Sequence, residues 1–452
     1  MIEIIITSII TLFPAIFPMM QVVRKQELNL FDFLLLFSTI YFSVIPLIFC
    51  YRLELYTEVD GVYNTTFYYM IYAICVLIVD ILWRSRCERS QSIINITRFI
   101  QQYDSIEISI VGKIIIGVIF IYGLTYYMPL VTVLLQEEHG RREELLAHDV
   151  LVKMQMFTVV WTIMGNIILL TLAYSFKKGE LNRVMIFYAS LYVILMLFFP
   201  RREFLGVLMT FTICLYSVKR DWFSKKRILE LIGFYSIILI FYFPFYNVMR
   251  NSPIVFIPSK PIESITEMVS YAVDNWDDRV QDENDASMTD NRSLGVYIAV
   301  YSLCNKEIEP YLGKIFMLEM DVSIPRFLNP NKESGAQEKL EMLTGANTDQ
   351  ADSYLLYMYA DFLYIGAVAT VLFYMLIFVL YDRLSYLIHY IVDSNIVLVI
   401  FAIKLFSLVW NIEGTIGGVI SWLFNSLFII VLVIIVEKMQ IVTLKKTPDS
   451  CI

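Results

Sequence analysis

Residues 1–20 read MIEIIITSIITLFPAIFPMM, and Glu3 is the one charged side chain among them. A helix of roughly 20 apolar residues crosses about 30 Å of hydrocarbon. The stretch has no basic start and no small-residue cleavage site, so it reads as a retained first span rather than a removable leader. Working outward, ten more runs share its character, at about 30–50, 67–83, 108–135, 151–176, 184–200, 204–218, 228–249, 354–380, 395–411 and 415–436. The 204–218 run is short, and the 415–436 run opens with the glycines of GTIGGV.

Composition agrees. Of 452 residues, 58% are hydrophobic and 17% charged, with a mean hydropathy of +0.65. A soluble domain carries about 25% charged and 45–50% apolar residues. This balance excludes a secreted globular enzyme, a nucleic-acid-binding protein and a disordered chain. The expected fold is an all-α polytopic membrane protein of about 11 transmembrane helices. Cys50, Cys75, Cys87, Cys214, Cys304 and Cys451 are scattered with no CxxC pair, so neither a disulfide framework nor a zinc site is expected.

Cytoplasmic loops retain Lys and Arg, which sets the orientation. One set of alternate connections holds Arg24, Lys25, Arg84, Arg86, Arg89, Arg98, Lys177, Lys178, Arg183, Lys219, Arg220, Lys225, Lys226, Arg227, Arg383, Lys438, Lys445 and Lys446. The other short connections hold only Arg52, Arg141, Arg142, Arg201 and Arg202. The expectation is an N-terminus outside and a C-terminus in the cytoplasm.

The chain then divides into a membrane bundle of about eight helices (1–249), a long external segment (250–353), a second bundle of about three helices (354–437) and a cytoplasmic tail (438–452). The external segment carries 9 basic and 18 acidic residues, against a net charge of −8 for the whole chain. The rest is therefore close to neutral. Within the segment, IESITEMVSYAVDNW (262–276) and SLGVYIAVYSLC (293–304) predict amphipathic or partly buried helices. No repeat relates the two halves of the chain, unlike many secondary transporters.

The sharpest local feature is Arg201-Arg202-Glu203 in FFPRREFLGVL, where two arginines sit at the external face with almost no loop. Snorkelling to lipid phosphate is one account. Because the charge bias disfavours arginine on this side, a specific anion site is the better one, and guanidinium forks suit phosphate. Arg250 and Lys260 stand where the long segment leaves the membrane, and Arg326 and Lys332 lie in DVSIPRFLNPNKESG (321–335). Pro325 and Pro330 make that last stretch a rigid extended turn. QEEHGRREELLAHD (136–149) reads either as an exposed lid or as a source of ligands from Arg141, Arg142 and His148. Asp352 and Asp361 are nine residues apart, about 180° around a regular helix, so one pocket does not take both. Asp361 lies inside a run, where an ionisable group is costly and functional by default. Tyr354, Tyr357 and Tyr359 fit an aromatic belt or a sugar site. No Walker A, GxGxxG, HExxH or GxSxG motif occurs, and nothing calls for a metal or cofactor.

PRREFLGVL (200–208), DVSIPRFLNPNK (321–332) and DSYLLYMYADFLYIGAVA (352–369) together resemble the bacterial O-antigen and capsule polymerases, the oligosaccharide repeat-unit polymerases of the Wzy type. The likeness covers most of the chain as architecture. It departs from the family pattern at Leu363, where glycine is common, and at Phe199-Pro200. The resemblance implies a GT-C-like, metal-independent glycosyltransferase at the periplasmic face. It would polymerise undecaprenyl-pyrophosphate-linked oligosaccharide, with membrane lipids and a chain-length regulator protein as candidate partners and no nucleic acid. Arg201, Arg202, Arg250 and Arg326 would bind the pyrophosphate. Asp352, Glu203 or His148 would accept the proton of the attacking hydroxyl. Lys260, Lys332, Arg141, Arg142, Tyr359 and Asp361 would contact substrate. An O-antigen ligase using the same donor and a lipid-linked oligosaccharide flippase are the alternatives.

Overall fold

The computed structural model describes residues 1–87, 92–129, 148–179, 182–197, 201–238, 242, 254, 256–275, 295–323, 340, 353–410, 430–431, 434–435 and 437–446. The fold is mostly helical. Six helices are long and apolar enough to cross a membrane, as an all-α polytopic membrane protein requires: Ile2–Val23, Leu30–Ile48, Val59–Ser85, Ile110–Tyr127, Val160–Lys178 and Ile365–Val392. Each falls on one of the apolar runs. Arg183–Met196, Phe204–Val218 and Asn395–Trp410 are shorter apolar helices on three more runs, and Gly295–Cys304 lies in the long segment. The 415–436 run lies almost wholly outside the described residues.

The chain forms two compact units, each discontinuous in sequence. Unit 1 comprises residues 1–99, 286–393 and 397–428, and unit 2 comprises 100–285, 394–396 and 429–452. The two helices expected in the long segment, observed at Pro261–Asp274 and Gly295–Cys304, belong to different units.

Unit 1 is built on α1 (Ile2–Val23), α2 (Leu30–Ile48), α3 (Cys50–Tyr56) and α4 (Val59–Cys87). Asn29 starts α2 by accepting hydrogen bonds from Phe31 N and Asp32 N, and the Asp32 carboxylate accepts one from Asn29 N, a capping box. Pro46 lies inside α2 and has no N–H for the carbonyl of Phe42, four residues back. The helix widens to a π turn at Ile40–Val44, and Thr11 Oγ1 of α1 donates to that carbonyl at 3.0 Å. Ser43 Oγ donates to the carbonyl of Ser8. Small polar residues thus line the α1–α2 seam and let the backbones approach. Tyr69 of α4 stacks on Phe42 at 4.8 Å and bonds Thr39 Oγ1 at 2.9 Å. On the opposite face of α4, Tyr63, Phe67, Ile74, Ile78 and Ile81 are exposed at helical spacing. That is the stripe a lipid-facing helix presents. Arg84 lies within α4, and Arg383 lies within the helix that runs to Val392. Both helices extend beyond the apolar runs; in α4 the last turns hold the pair of Arg84 with Asp80, one helical turn apart.

Unit 2 contains α5 (Ile96–Gln101) in part, then β1 (Tyr103–Ile108), α6 (Ile110–Tyr127), α7 (His148–Lys178), α8 (Arg183–Met196), α9 (Arg201–Val218), α10 (Lys225–Ile237) and α11 (Pro261–Asp274). Its core centres on Trp161, with Phe120 at 5.0 Å and Tyr192 at 5.7 Å between ring centroids. Gly165 of α7 lies directly under Tyr192. A Cβ there would stand 2.0 Å from the ring. β1 pairs antiparallel with β2 (Val442–Lys446), joining the chain's end to the start of α6. This small sheet is absent from the all-α expectation, because each strand is too short and too polar to register among apolar runs. Lys445 meets Glu107 at 2.6 Å and Lys178 meets Asp104 at 3.2 Å.

Replacing Gly165 by Ala forces the Tyr192 ring out of the core. The apparent melting temperature in detergent should drop by the equivalent of about 1–3 kcal/mol, with no matching drop for Gly233→Ala, where nothing stands within 4 Å.

Candidate functional site

The apolar run at 354–380 suggests one continuous span, and the structure breaks it. α14 (Tyr354–Phe362) is capped by Ser353, whose Oγ accepts from Leu356 N at 3.1 Å. It ends at Leu363, which has a positive φ of 51°. α15 (Ile365–Val392) then begins afresh. The break opens two carbonyls of α14. Tyr311 N donates to Ala360 O at 3.1 Å and Leu312 N to Asp361 O at 2.9 Å. In return the Asp361 carboxylate accepts from Ile315 N at 3.0 Å and Phe316 N at 2.8 Å, the first amides of α13 (Lys314–Ser323). Two helix ends therefore cap one another through residues 311–316 and 360–361. Gly366 completes the clasp, because a Cβ there would stand 2.0 Å from Met358 O.

This corrects two expectations. Asp361 is fully buried at 0% exposure and all its described bonds go to main-chain amides. It positions α13 and presents no free group to a ligand. The 180° separation from Asp352 has no continuous helix to run along, and Asp352 itself lies outside the described residues.

Tyr359 sits beside the clasp. Its ring meets Tyr68 at 4.9 Å and Tyr364 at 5.7 Å, and its hydroxyl bonds Cys304 and Tyr364. It is 4% exposed, so it forms the floor of this region rather than an open lining. Cys304 belongs to α12 (Gly295–Cys304), which packs on the start of α4, where Gly61 touches Tyr301 and Asn305. Burial pushes the Cys304 thiol up to about 12, so it stays an unreactive thiol at neutral pH. Around the rim, Glu58 N receives Tyr301 OH as its acceptor at 2.6 Å, Asn305 Nδ2 donates to Glu58 Oε2 at 3.4 Å, and Asn64 Nδ2 donates to Cys304 O at 3.3 Å. A carboxylate and two side-chain amides thus stand together, donors and acceptors of the kind hydroxyl-rich ligands use.

In unit 2, α9 opens at Arg201, so Arg201, Arg202 and Glu203 form its first turn. The unpaired amides and partial positive charge of a helix start favour anions. Tyr242 braces this turn. Its hydroxyl donates to Leu197 O at 3.0 Å and its ring packs on Phe204 at 4.5 Å, one contact on each side of the arginines in sequence. Sequence alone did not single out Tyr242, one tyrosine among 30. His148 opens α7. Lys260 caps the backbone of α11 and its ammonium meets Glu263 at 2.8 Å, both side chains exposed. It is a solvated surface charge. Arg141, Arg142, Arg250, Arg326 and Lys332 lie outside the described residues. Tyr359 and Asp361 thus lie together in unit 1, whereas the Arg201–Glu203 turn and Lys260 belong to unit 2. Among the described residues no three His, Cys, Asp or Glu side chains gather as a metal site would need.

Comparison of the chain with family models, with curated proteins and with solved structures gives no match.

Two measurements check this geometry. Asp361→Ala strands two buried amides and should lower stability in detergent by about 2–3 kcal/mol. Leu363→Gly should leave it within about 1 kcal/mol of the parent, since relief at positive φ offsets added chain entropy. In a maleimide assay on the folded protein, Cys304 should remain unlabelled until denaturant is added, while the partly exposed Cys50 reacts first.

Proposed function

We propose that the protein is a membrane glycosyltransferase that polymerises oligosaccharide repeat units carried on undecaprenyl pyrophosphate, at the periplasmic face. The observation that carries this reading is the placement of Arg201 and Arg202 in the first turn of α9. Two arginines stand in sequence at a helix start, where main-chain amides and the helix dipole favour an anion, on the side that the distribution of Lys and Arg is expected to place outside. A phosphorylated lipid is the anion that a membrane-boundary site of this kind suits.

The chemistry needs little else. The donor arrives already activated by its pyrophosphate, and the sugar–oxygen bond to that group breaks as an acceptor hydroxyl attacks the anomeric carbon. Negative charge grows on the departing pyrophosphate, and fixed guanidinium groups stabilise it more in the transition state than in the ground state. Arg250 and Arg326 would complete the phosphate contacts. Asp352, Glu203 or His148 would take the hydroxyl proton. Asp361 enters as a positioning residue, because α13 leads directly into the SIPRFLNPNK stretch that bears Arg326.

Arg201→Ala and Arg202→Ala should each abolish long polysaccharide chains while the protein stays in the membrane. Each lost charge-assisted contact is worth about 1.5–3 kcal/mol, roughly 10- to 150-fold in rate. Ladder-resolving gels of the surface glycan read the effect. Single-repeat glycans in place of ladders support a polymerase, loss of all surface glycan indicates a ligase, and unchanged ladders in both variants would exclude this assignment.

A further inference from the structure

At the end of unit 1 away from Asp361, a second group of charges is buried between α2 and α4. Asn29 and Asp32 form the capping box of α2, with Asp32 Oδ2 accepting from Asn29 N at 2.8 Å. α4 brings Asp80 and Arg84, one helical turn apart. Arg84 Nε donates to Asp80 Oδ1 at 3.0 Å and Oδ2 at 3.1 Å. One terminal nitrogen of Arg84 donates to Asp32 Oδ2, and the other to the carbonyl of Glu27 at 3.1 Å. The Asn29 amide donates to Asp80 Oδ1. Both carboxylates are at 0% exposure, and the Arg84 side chain is at 26%. One atom is left over. Asp32 Oδ1 is buried and has no hydrogen-bond partner among the described residues.

The charges do not balance either. Among the described residues two carboxylates face a single guanidinium, and Asp80 and Arg84 are the charged side chains that act on Asp32. The surrounding elements do not correct this. α1 contributes the Phe17 ring beneath Arg84 at 5.9 Å, without charge. Arg24 and Lys25 are exposed. Glu27 meets Arg98 of α5 at 4.0 Å, with both side chains well exposed. On α15, Asp382 is taken up by Ser92 Oγ at 2.8 Å and Ile93 N at 2.9 Å. α16 (Asn395–Trp410) meets α2 through Phe406, against Phe33 and Phe37, and its one cation, Lys404, is not among the charged groups that act on Asp32. A buried carboxylate oxygen with neither donor nor counter-charge is among the costlier arrangements in an apolar interior.

We propose that Asp32 Oδ1 is the binding site of one exchangeable proton. The proton leaves hydronium, an O–H bond forms at Oδ1, and water is released. The cluster then passes from one surplus negative charge to neutrality. A metal cation is the poorer occupant, because hard cations take several oxygen ligands and the other carboxylate oxygens here already accept from N–H donors. Arg84, partly exposed, marks the side from which the proton exchanges with solvent. With the proton in place, α2 and α4 close around a neutral cluster. Without it, an unpaired charge sits at their junction and their packing loosens as pH rises. The site is independent of the polymerase assignment and stands or falls apart from it.

Infrared spectroscopy of the full chain in lipid nanodiscs tests this directly, through the C=O stretch of a neutral carboxylic acid, followed in H₂O and D₂O from mildly acidic to mildly alkaline pH. The wild-type protein should show such a band, and it should disappear as pH is raised. Asp32→Asn should lose it. Asp80→Asn should lose it too, because Arg84 then balances a single carboxylate. Asp361→Asn should retain it. The absence of a pH-dependent acid band in the wild type overturns the proposal, as does its persistence in Asp32→Asn. Discharge of the band by sodium at constant pH also overturns it, in favour of a metal-cation site. Should Asp32→Asn fail to fold, the wild type and Asp80→Asn decide the question alone.

Discussion

Where water is excluded, a main-chain carbonyl or amide released by a break in a helix must find its partner within the protein, or the break costs several kcal/mol. The described structure meets this demand at Pro46 and at the break after α14. Pro46 removes a donor from α2, and Thr11 of α1 supplies another to Phe42 O. Leu363 stops α14, and the amides of Tyr311 and Leu312 take the carbonyls it frees. The start of α13 needs acceptors, and Asp361 provides both oxygens. In each case the substitute partner comes from an element distant in sequence. A local break therefore becomes a tertiary joint.

Such joints explain where polar side chains sit in a chain so poor in them. Asp361, Asp382 and Asn29 are each spent on main-chain amides, and each ties two segments together. Asp32 stands apart, since one of its oxygens caps α2 and meets Arg84 while the other is left without a partner. Among these acids only Asp32 retains a buried oxygen free to bind something else. Buried charge thus serves two ends in unit 1: fastening at the Asp361 clasp, and an unfinished balance at the Asp32–Asp80–Arg84 cluster.

Much of the architecture was legible beforehand. The apolar runs at 3–21, 30–50, 67–83, 108–135, 151–176 and 354–380 each contain a helix able to span a membrane, because the length of an apolar run is a direct consequence of bilayer thickness. The amphipathic pattern of 262–276 also marked a helix. The candidate site was less legible. Arg201-Arg202 stood out by sequence, but the brace from Tyr242 did not, since a tyrosine in an aromatic-rich span carries no periodic signal. Asp361 was recognised as unusual, yet its partners lie some 45 residues away. The departure at Leu363 was visible as a leucine where the resembling family favours glycine. Its meaning, a positive φ at a helix break, needed the backbone itself.

The sequence by itself determined that this chain is apolar enough for a membrane, which stretches are helical, and that its acidity is concentrated in one long segment. These follow from composition, length and period, which act locally. Only the tertiary structure decided that the 354–380 run is two helices, that the long segment contributes to two compact units, and that Arg84 is a partly exposed partner of two buried aspartates rather than a loop charge. Those outcomes depend on which groups meet across tens or hundreds of residues, and the energy of a buried charge or an unpaired amide is set by that company rather than by its neighbours in the chain.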